Sequence, residues 1–168
     1  VSEIRWQDYR HITGTFDKIV SIEMLEAVGH QYVPGYFEKC HALLKPNGAM
    51  AIQVITSQDD RYREFRKSVD FIQKHIFPGS QTPSVEYIQK CVNKATDWNL
   101  HDVKDIGIDY ARTLRLWFDA FNARLSEVKN LGMDDRFIRK WNYYLQYCEA
   151  AFATRHITVK QLVYAKPY

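Results

Sequence analysis

Hydrophobic and polar positions alternate from the start of the chain: Ile4 and Trp6 stand against Glu3, Arg5 and Gln7, which predicts a short strand ending in Gln7-Asp8-Tyr9-Arg10. After a loop at Gly14, the β-branched run FDKIVSI predicts a strand over 16–22. Tyr36, Phe37, Cys40, Leu43 and Leu44 then share one helical stripe within 34–44, and a turn at Lys45-Pro46-Asn47-Gly48 leads into a second strand, AMAIQVIT, at 49–56. Strand, helix, strand at this spacing is a βαβ unit, which closes as a right-handed crossover in a parallel sheet. From Asp59, the spacing of Tyr62, Phe65, Val69, Ile72 and Ile76 predicts one long amphipathic helix that stops at Phe77-Pro78-Gly79. Ser84 is a candidate N-cap for a shorter helix carrying Val85, Ile88 and Val92, and 98–106 alternates weakly as a strand. Leu114, Phe118, Phe121, Leu125 and Val128 form one further helical stripe, and Phe137, Trp141, Tyr144, Cys148 and Phe152 another, with Gly132 as a C-cap between them. These two predict a helical hairpin, and the alternation in 156–166 (HITVKQLVYAK) predicts a last strand. No repeat or linker interrupts the pattern, so 1–168 reads as one α/β domain.

Composition narrows the class. A chain of 168 residues with 46% hydrophobic and 26% charged residues folds rather than staying disordered. No run approaches the roughly 18–20 apolar residues of a membrane span, and VSEIRWQDYR lacks both the basic head and the apolar stretch of a signal peptide. The chain therefore reads as cytoplasmic. Cys40, Cys91 and Cys148 are widely spaced and odd in number, which indicates reduced thiols rather than a disulfide framework or zinc site. The net charge of +3 permits an acidic partner without selecting one. More telling are the 11 Tyr, 9 Phe and 4 Trp, enough to wall a wide aromatic interior.

Glu23 and Glu26 follow directly on a parallel strand, where open α/β sheets place their ligand sites. The same carboxylates also suit the positive end of the next helix, and spacing does not choose between the two roles. Arg61, Arg63, Arg66, Lys67 and Lys74 accompany Tyr62, Phe65 and Ile72, a pattern shared by helices lying on anionic membranes and by core helices with a solvated basic face. The six histidines contain no i, i+4 pair, so no helical metal motif is present, and no RNA-binding signature accompanies Tyr143, Tyr144 and Tyr147. The seven glycines form neither GxGxxG nor GxxxxGKS, so this sequence carries no glycine-rich nucleotide cradle.

Five blocks carry a more specific signal: QDYR at 7–10, FDKIVSIEMLEAVG at 16–29, YFEKCHALLKPNGAMAIQVIT at 36–56, DFIQKHIFPGSQTPSV at 70–85 and GIDYARTLRLWFDAF at 107–121. In order and separation they resemble the cyclopropane-fatty-acyl-phospholipid synthase family, and the IFPG turn and DYxxTLxxW run are not shared by generic methyltransferases. The resemblance implies a partial class I methyltransferase (Rossmann-like) sheet with flanking helices, the segments about 57–95 and 111–153 being inserted lipid-pocket helices. It also implies that the first strands, the glycine-rich loop and a helical lid lie upstream, so that this chain is a C-terminal portion, inactive alone. Its implied cofactors are S-adenosylmethionine and bicarbonate. The implied chemistry moves a methyl group to the cis double bond of a phospholipid acyl chain, after which bicarbonate takes a proton as the ring closes. An aromatic pocket suits the developing cation, because ring faces attract positive charge.

Carried over by position, Gln7, Asp8 and Ile22 are expected at the cofactor, with Gln7 and Asp8 ending a strand. Glu26, Tyr110, Gln53 and the backbone of Ile55 are expected at bicarbonate. Gln53 stands where the family has a histidine, and Ala27 where many members have one after the glutamate. An amide donates a hydrogen bond but does not titrate, so these departures point to altered chemistry. The implied setting is peripheral, at the inner membrane face, with a phospholipid surface as partner. The uncovered edge of the strand at 16–22 favours a homo-oligomer. Two rivals follow: a methyltransferase acting on another lipid or small molecule, and a non-catalytic lipid-surface module.

Overall fold

The computed structural model describes residues 2–168. A mixed sheet is built from β1 (Phe16–Ile22), β2 (Leu44–Ser57), β3 (Asn99–Asp105) and β4 (Ile157–Ala165), in the order β1-β2-β4-β3. The first two strands run parallel, as the βαβ pattern requires, and β4 lies antiparallel to both β2 and β3. Between β1 and β2 the chain forms α1 (Leu25–Val28), a 3-10 turn at His30–Tyr32 and α2 (Val33–Leu43). Between β2 and β3 come α3 (Asp59–Phe65), α4 (Phe71–His75) and α5 (Val85–Ala95); between β3 and β4 come α6 (Gly107–Asn122), α7 (Leu125–Asn130) and α8 (Asp135–Ala153).

The period-two pattern of β2 feeds two cores. Met50, Ile52 and Val54 point to one face, where Phe37 of α2 and Ile88 and Val92 of α5 cover them. Ile55 points to the other face and joins Ala111, Leu114, Leu145 and Phe152 of α6 and α8. The α6–α8 hairpin expected from the two stripes is held by reciprocal amide bonds between Asn122 and Asn142 at 2.8 and 2.9 Å. An ion pair between Arg115 and Glu149 at 2.9 Å adds to it. Ser84 caps α5 by accepting from Tyr87 N–H at 3.2 Å. The Lys45-Pro46-Asn47-Gly48 turn becomes a bulge in β2: the register with β1 shifts there, Asn47 takes φ = 59°, and a Cβ on Gly48 would come within 2.7 Å of Leu44 and Lys45 atoms.

Three expectations are corrected. Residues 2–8 form no strand, so Gln7 and Asp8 do not end one; Ile4 and Trp6 are fully exposed, and the alternation has no sheet neighbour among the described residues. The long helix from Asp59 is two short ones, because Asp70 accepts from Gln73 N–H while Gln73 Oε1 accepts from Asp70 N–H, a capping box that starts a new helix. Val69, the apolar residue at the break, is exposed. The stripe ending at Leu125 and Val128 is likewise divided, α6 stopping at Asn122 and α7 beginning at Leu125.

Candidate active site

The site begins where β1 ends. Glu23 turns the chain with φ = 50°, the left-handed region in which a side chain is strained by about 1–3 kcal/mol. Its N–H donates to Gln53 O at 2.8 Å, which ties the turn to β2. Its carboxylate oxygen Oε1 accepts from Gln53 Nε2 at 2.9 Å and from the Tyr110 hydroxyl. Gln53 Nε2 also donates to the Tyr110 oxygen at 2.8 Å, and Gln53 Oε1 accepts from Gln161 Nε2 at 2.9 Å. Because Gln161 takes the amide oxygen, the amide nitrogen is left facing Glu23 and Tyr110. Gln161 is available for this because the antiparallel register sets it opposite Gln53.

Tyr110 lies in the first turn of α6, and that turn is placed by a close approach. A Cβ on Gly107 would stand 3.0 Å from both Cα and Cβ of Thr158 on β4, so only glycine brings α6 this near the sheet. Asp105 fastens the junction, accepting from Gly107 N–H at 2.9 Å, from Lys160 Nζ at 2.8 Å and from the Thr158 hydroxyl. Burial raises the Tyr110 hydroxyl pKa, and the hydrogen bond to Glu23 raises it further, so the phenol stays protonated and acts as a donor.

Glu26, on α1, is 9% exposed. One carboxyl oxygen accepts from Ile55 N–H at 2.6 Å; the other is enclosed without a partner. Burial raises this carboxyl above its ordinary value of 4.5, the Ile55 amide opposes the rise, and the charge of Glu23 adds to it. Two neighbouring carboxyls therefore occupy unlike settings, one bonded to side-chain donors and one desolvated.

Both carboxyls line a cavity of about 580 Å³ whose walls include Tyr62, Phe77, Tyr110, Trp117, Tyr144 and Phe152. Burial pushes the Tyr144 hydroxyl and the Cys148 thiol, also in the lining, up to about 12, so Cys148 is not a thiolate nucleophile here. Two lining residues are bonded to His30, whose Nδ1 lies 2.7 Å from the Tyr62 hydroxyl and whose Nε2 lies 2.7 Å from the Arg66 guanidinium. Arginine only donates, so Nε2 is the accepting nitrogen; burial and Arg66 together lower the His30 pKa and keep the ring neutral.

Of the residues singled out from the sequence, Glu23, Glu26, Gln53, Ile55 and Tyr110 converge. Ile22 sits opposite Gln53 with its side chain 58% exposed beside the cluster. Gln7 and Asp8 do not join it: Gln7 donates to His11 O at 2.8 Å, and Asp8 caps a 3-10 turn while pairing with Arg10 at 2.6 Å. Gln161 and Gly107 escaped sequence reasoning, since their roles depend on strand register and helix approach. The direct bonding of Glu23 to Gln53 and Tyr110 escaped it for the same reason. The bicarbonate expected from the resemblance does not fit these residues, because Tyr110, Gln53 and Ile55 already donate to Glu23 and Glu26.

Comparisons with known proteins bear on the family and the fold. A family model described as mycolic acid cyclopropane synthetase matches residues 1–162. The chain is 40% identical over 159 residues to the tuberculostearic acid methyltransferase UfaA1 of Mycobacterium tuberculosis, covering 95% of this chain and 37% of that protein. It is 34% identical over 161 residues to the cyclopropane-fatty-acyl-phospholipid synthase of Escherichia coli K12, covering 95% and 40%. Among solved structures, the mycolic acid cyclopropane synthase CmaA1 in complex with SAH and CTAB superposes with a TM-score of 0.85 at 27% identity, over 94% of this chain and 58% of that one. The chain thus spans about two fifths of the length of these curated relatives, and its sheet and flanking helices match part of a class I methyltransferase fold. By the match along nearly its whole length, the chain belongs to the mycolic acid cyclopropane synthetase family.

Proposed function

We propose that this chain supplies the acceptor-binding part of an S-adenosylmethionine-dependent methyltransferase acting on the cis double bond of an unsaturated phospholipid acyl chain. The observation that carries the reading is an aromatic cavity of about 580 Å³ opening on the paired carboxyls Glu23 and Glu26. An acyl chain needs an elongated apolar volume, and a carbon that becomes positive needs ring faces and negative charge close by in a water-poor site. Tyr110 and Phe152, with ring centres 5.3 Å apart, stand at the carboxyl end of that volume.

S-adenosylmethionine, when bound, supplies an electrophilic methyl group. Exposed Ile22, at the end of β1 next to Glu23, fits an apolar contact to such a cofactor, whereas the Gln7 amide and the Asp8 carboxylate are engaged with His11 and Arg10. Exclusion of water falls to the α6–α8 hairpin and the 76–84 loop. That loop is strapped to α1 by Gln81 N–H donating to Glu26 O at 2.9 Å.

The phospholipid reading also draws on exposed Arg63, Lys67 and Lys74, cations that suit a peripheral position on an anionic membrane face. Arg61 and Arg66 are exposed as well, each bonded to a histidine, His156 at 3.1 Å and His30 at 2.7 Å. No helix among the described residues is long and apolar enough to cross a membrane. A second reading, transfer to a double bond without ring closure, is favoured by Gln53 in place of the family histidine.

The test is transfer of isotopic label from methyl-labelled S-adenosylmethionine to vesicles of an unsaturated phospholipid by the full-length protein. Label in the acyl chain is the expected result. Label confined to a water-soluble product, or no transfer, would overturn the reading.

A further inference from the structure

The donors that the family resemblance assigns to bicarbonate are engaged by this chain's own carboxylates. Tyr110 OH and Gln53 Nε2 both donate to Glu23 Oε1, the latter at 2.9 Å. Ile55 N–H donates to Glu26 Oε1 at 2.6 Å. Gln161 fixes the Gln53 amide by donating to its oxygen at 2.9 Å, so turning the amide toward another anion would break that bond too. A bicarbonate set against Tyr110 and Gln53 would have to displace Glu23 and then remain beside its charge.

The backbone gives a second observation, independent of these bonds. Glu23 holds φ = 50°, a conformation that glycine takes freely and glutamate does not. Strain of this kind gathers at functional sites, where the surrounding structure over-determines it. Here it sets a carboxylate into the cavity lining, at the point where Tyr110 and Gln53 converge.

We infer that Glu23 is the proton acceptor of the reaction and takes the place of a bound bicarbonate. The inference rests on the methyl-transfer reading. In the balanced step, the alkene π pair forms a bond to the methyl carbon as the methyl C–S bond breaks, its electrons staying on sulfur, which becomes a neutral thioether. The other alkene carbon is left electron-deficient. A C–H bond on the new methyl or on a neighbouring chain carbon then gives its pair to that carbon, as a ring bond or a double bond. The proton passes to Glu23, which becomes a carboxylic acid and later releases the proton to water. A C–H beside a carbocation is strongly acidic, so a carboxylate moderated by two hydrogen bonds is base enough. Tyr110 and Gln53 aim the carboxylate; Gln161 is a positioning residue acting through Gln53.

The experiment compares the full-length wild type with Glu23→Gly and Glu23→Gln in buffer stripped of carbon dioxide and in buffer with added bicarbonate. Methyl transfer is measured together with direct binding of isotope-labelled bicarbonate by NMR. Glycine suits the backbone at this position, so Glu23→Gly is expected to unfold at the same temperature as wild type or higher. Wild-type turnover is expected to be indifferent to bicarbonate, with no bicarbonate bound. Glu23→Gly and Glu23→Gln are expected to lose on the order of a hundredfold in turnover, as for loss of a general base, and Glu23→Gly to bind bicarbonate and regain activity with it. A wild type that binds bicarbonate and slows without it, or a Glu23→Gly variant as fast as wild type in stripped buffer, would overturn the proposal. If wild type methylates no lipid at all, the methyl-transfer reading fails on its own. The NMR comparison of wild type with Glu23→Gly still decides whether Glu23 occupies the anion's place.

Discussion

Glu26 pays for its position with stability. Its carboxyl is buried with one oxygen unpartnered, and burial raises its pKa above the ordinary value of 4.5. A folded state that holds a proton more tightly than the unfolded chain is favoured below the unfolded value, and that advantage fades as pH rises through the raised one. Glu26→Gln keeps an oxygen for Ile55 N–H and removes the charge. The variant is therefore expected to match wild type in thermal unfolding below the ordinary carboxyl range and to exceed it at neutral pH, while methyl transfer falls. Equal stability at both pH values would show that Glu26 is not a desolvated carboxyl. At this scale the sequence was informative about which residues matter and less so about what they touch. Glu26, Gln53 and Tyr110 stood out by resemblance, but that Tyr110 and Gln53 would bond Glu23 depends on a left-handed turn and on Gln161 across the sheet, and neither follows from spacing.

The α6–α8 hairpin is the element that turns one sheet face into a cavity wall, and its placement depends on Gly107. A methyl group there would overlap the Thr158 hydroxyl oxygen and meet its Cα and Cβ at 3.0 Å. Overpacking of this kind costs about 1–3 kcal/mol. Gly107→Ala is expected to lower stability by that amount in denaturant unfolding and to weaken catalysis further by shifting Tyr110, three residues on. Unchanged stability would mean that α6 has room to move and that Tyr110 is placed by other contacts. Element boundaries were legible where a cap announces them: Ser84 before α5 was read correctly. The Asp70–Gln73 capping box was equally present in the sequence, yet the apolar spacing through Val69 outweighed it, because periodicity counts residues without knowing which face is buried. The alternation at Ile4 and Trp6 misled for the same reason: a strand requires a neighbour, and the described residues offer none.

Across the whole molecule, the sheet has one face sealed by α2 and α5 and another only partly roofed by α6 and α8. On β1, Val20 and Ile22 remain 67% and 58% exposed toward that second face. The cavity lies under the roofed part and takes only a share of the aromatic residues noted in the composition, while Tyr36, Phe37, Trp98 and Tyr164 pack in the core on the other face. The α/β class, the parallel crossover and the helical hairpin were all legible from periodicity, which reports which residues share a face. The cavity was not, since it arises from elements far apart in sequence.

The central claim is that this cavity holds the acyl chain that is methylated. Ala151 of α8 lines the cavity, so Ala151→Trp would take up part of its volume without replacing Glu23, Glu26 or Tyr110. The decisive measurement is mass spectrometry of phospholipids from cells expressing the full-length protein or this variant. Unsaturated acyl chains heavier by one CH₂ are expected with wild type and at most a trace with Ala151→Trp. Unmodified lipids with wild type, or equal modification with the partly filled cavity, would contradict the account.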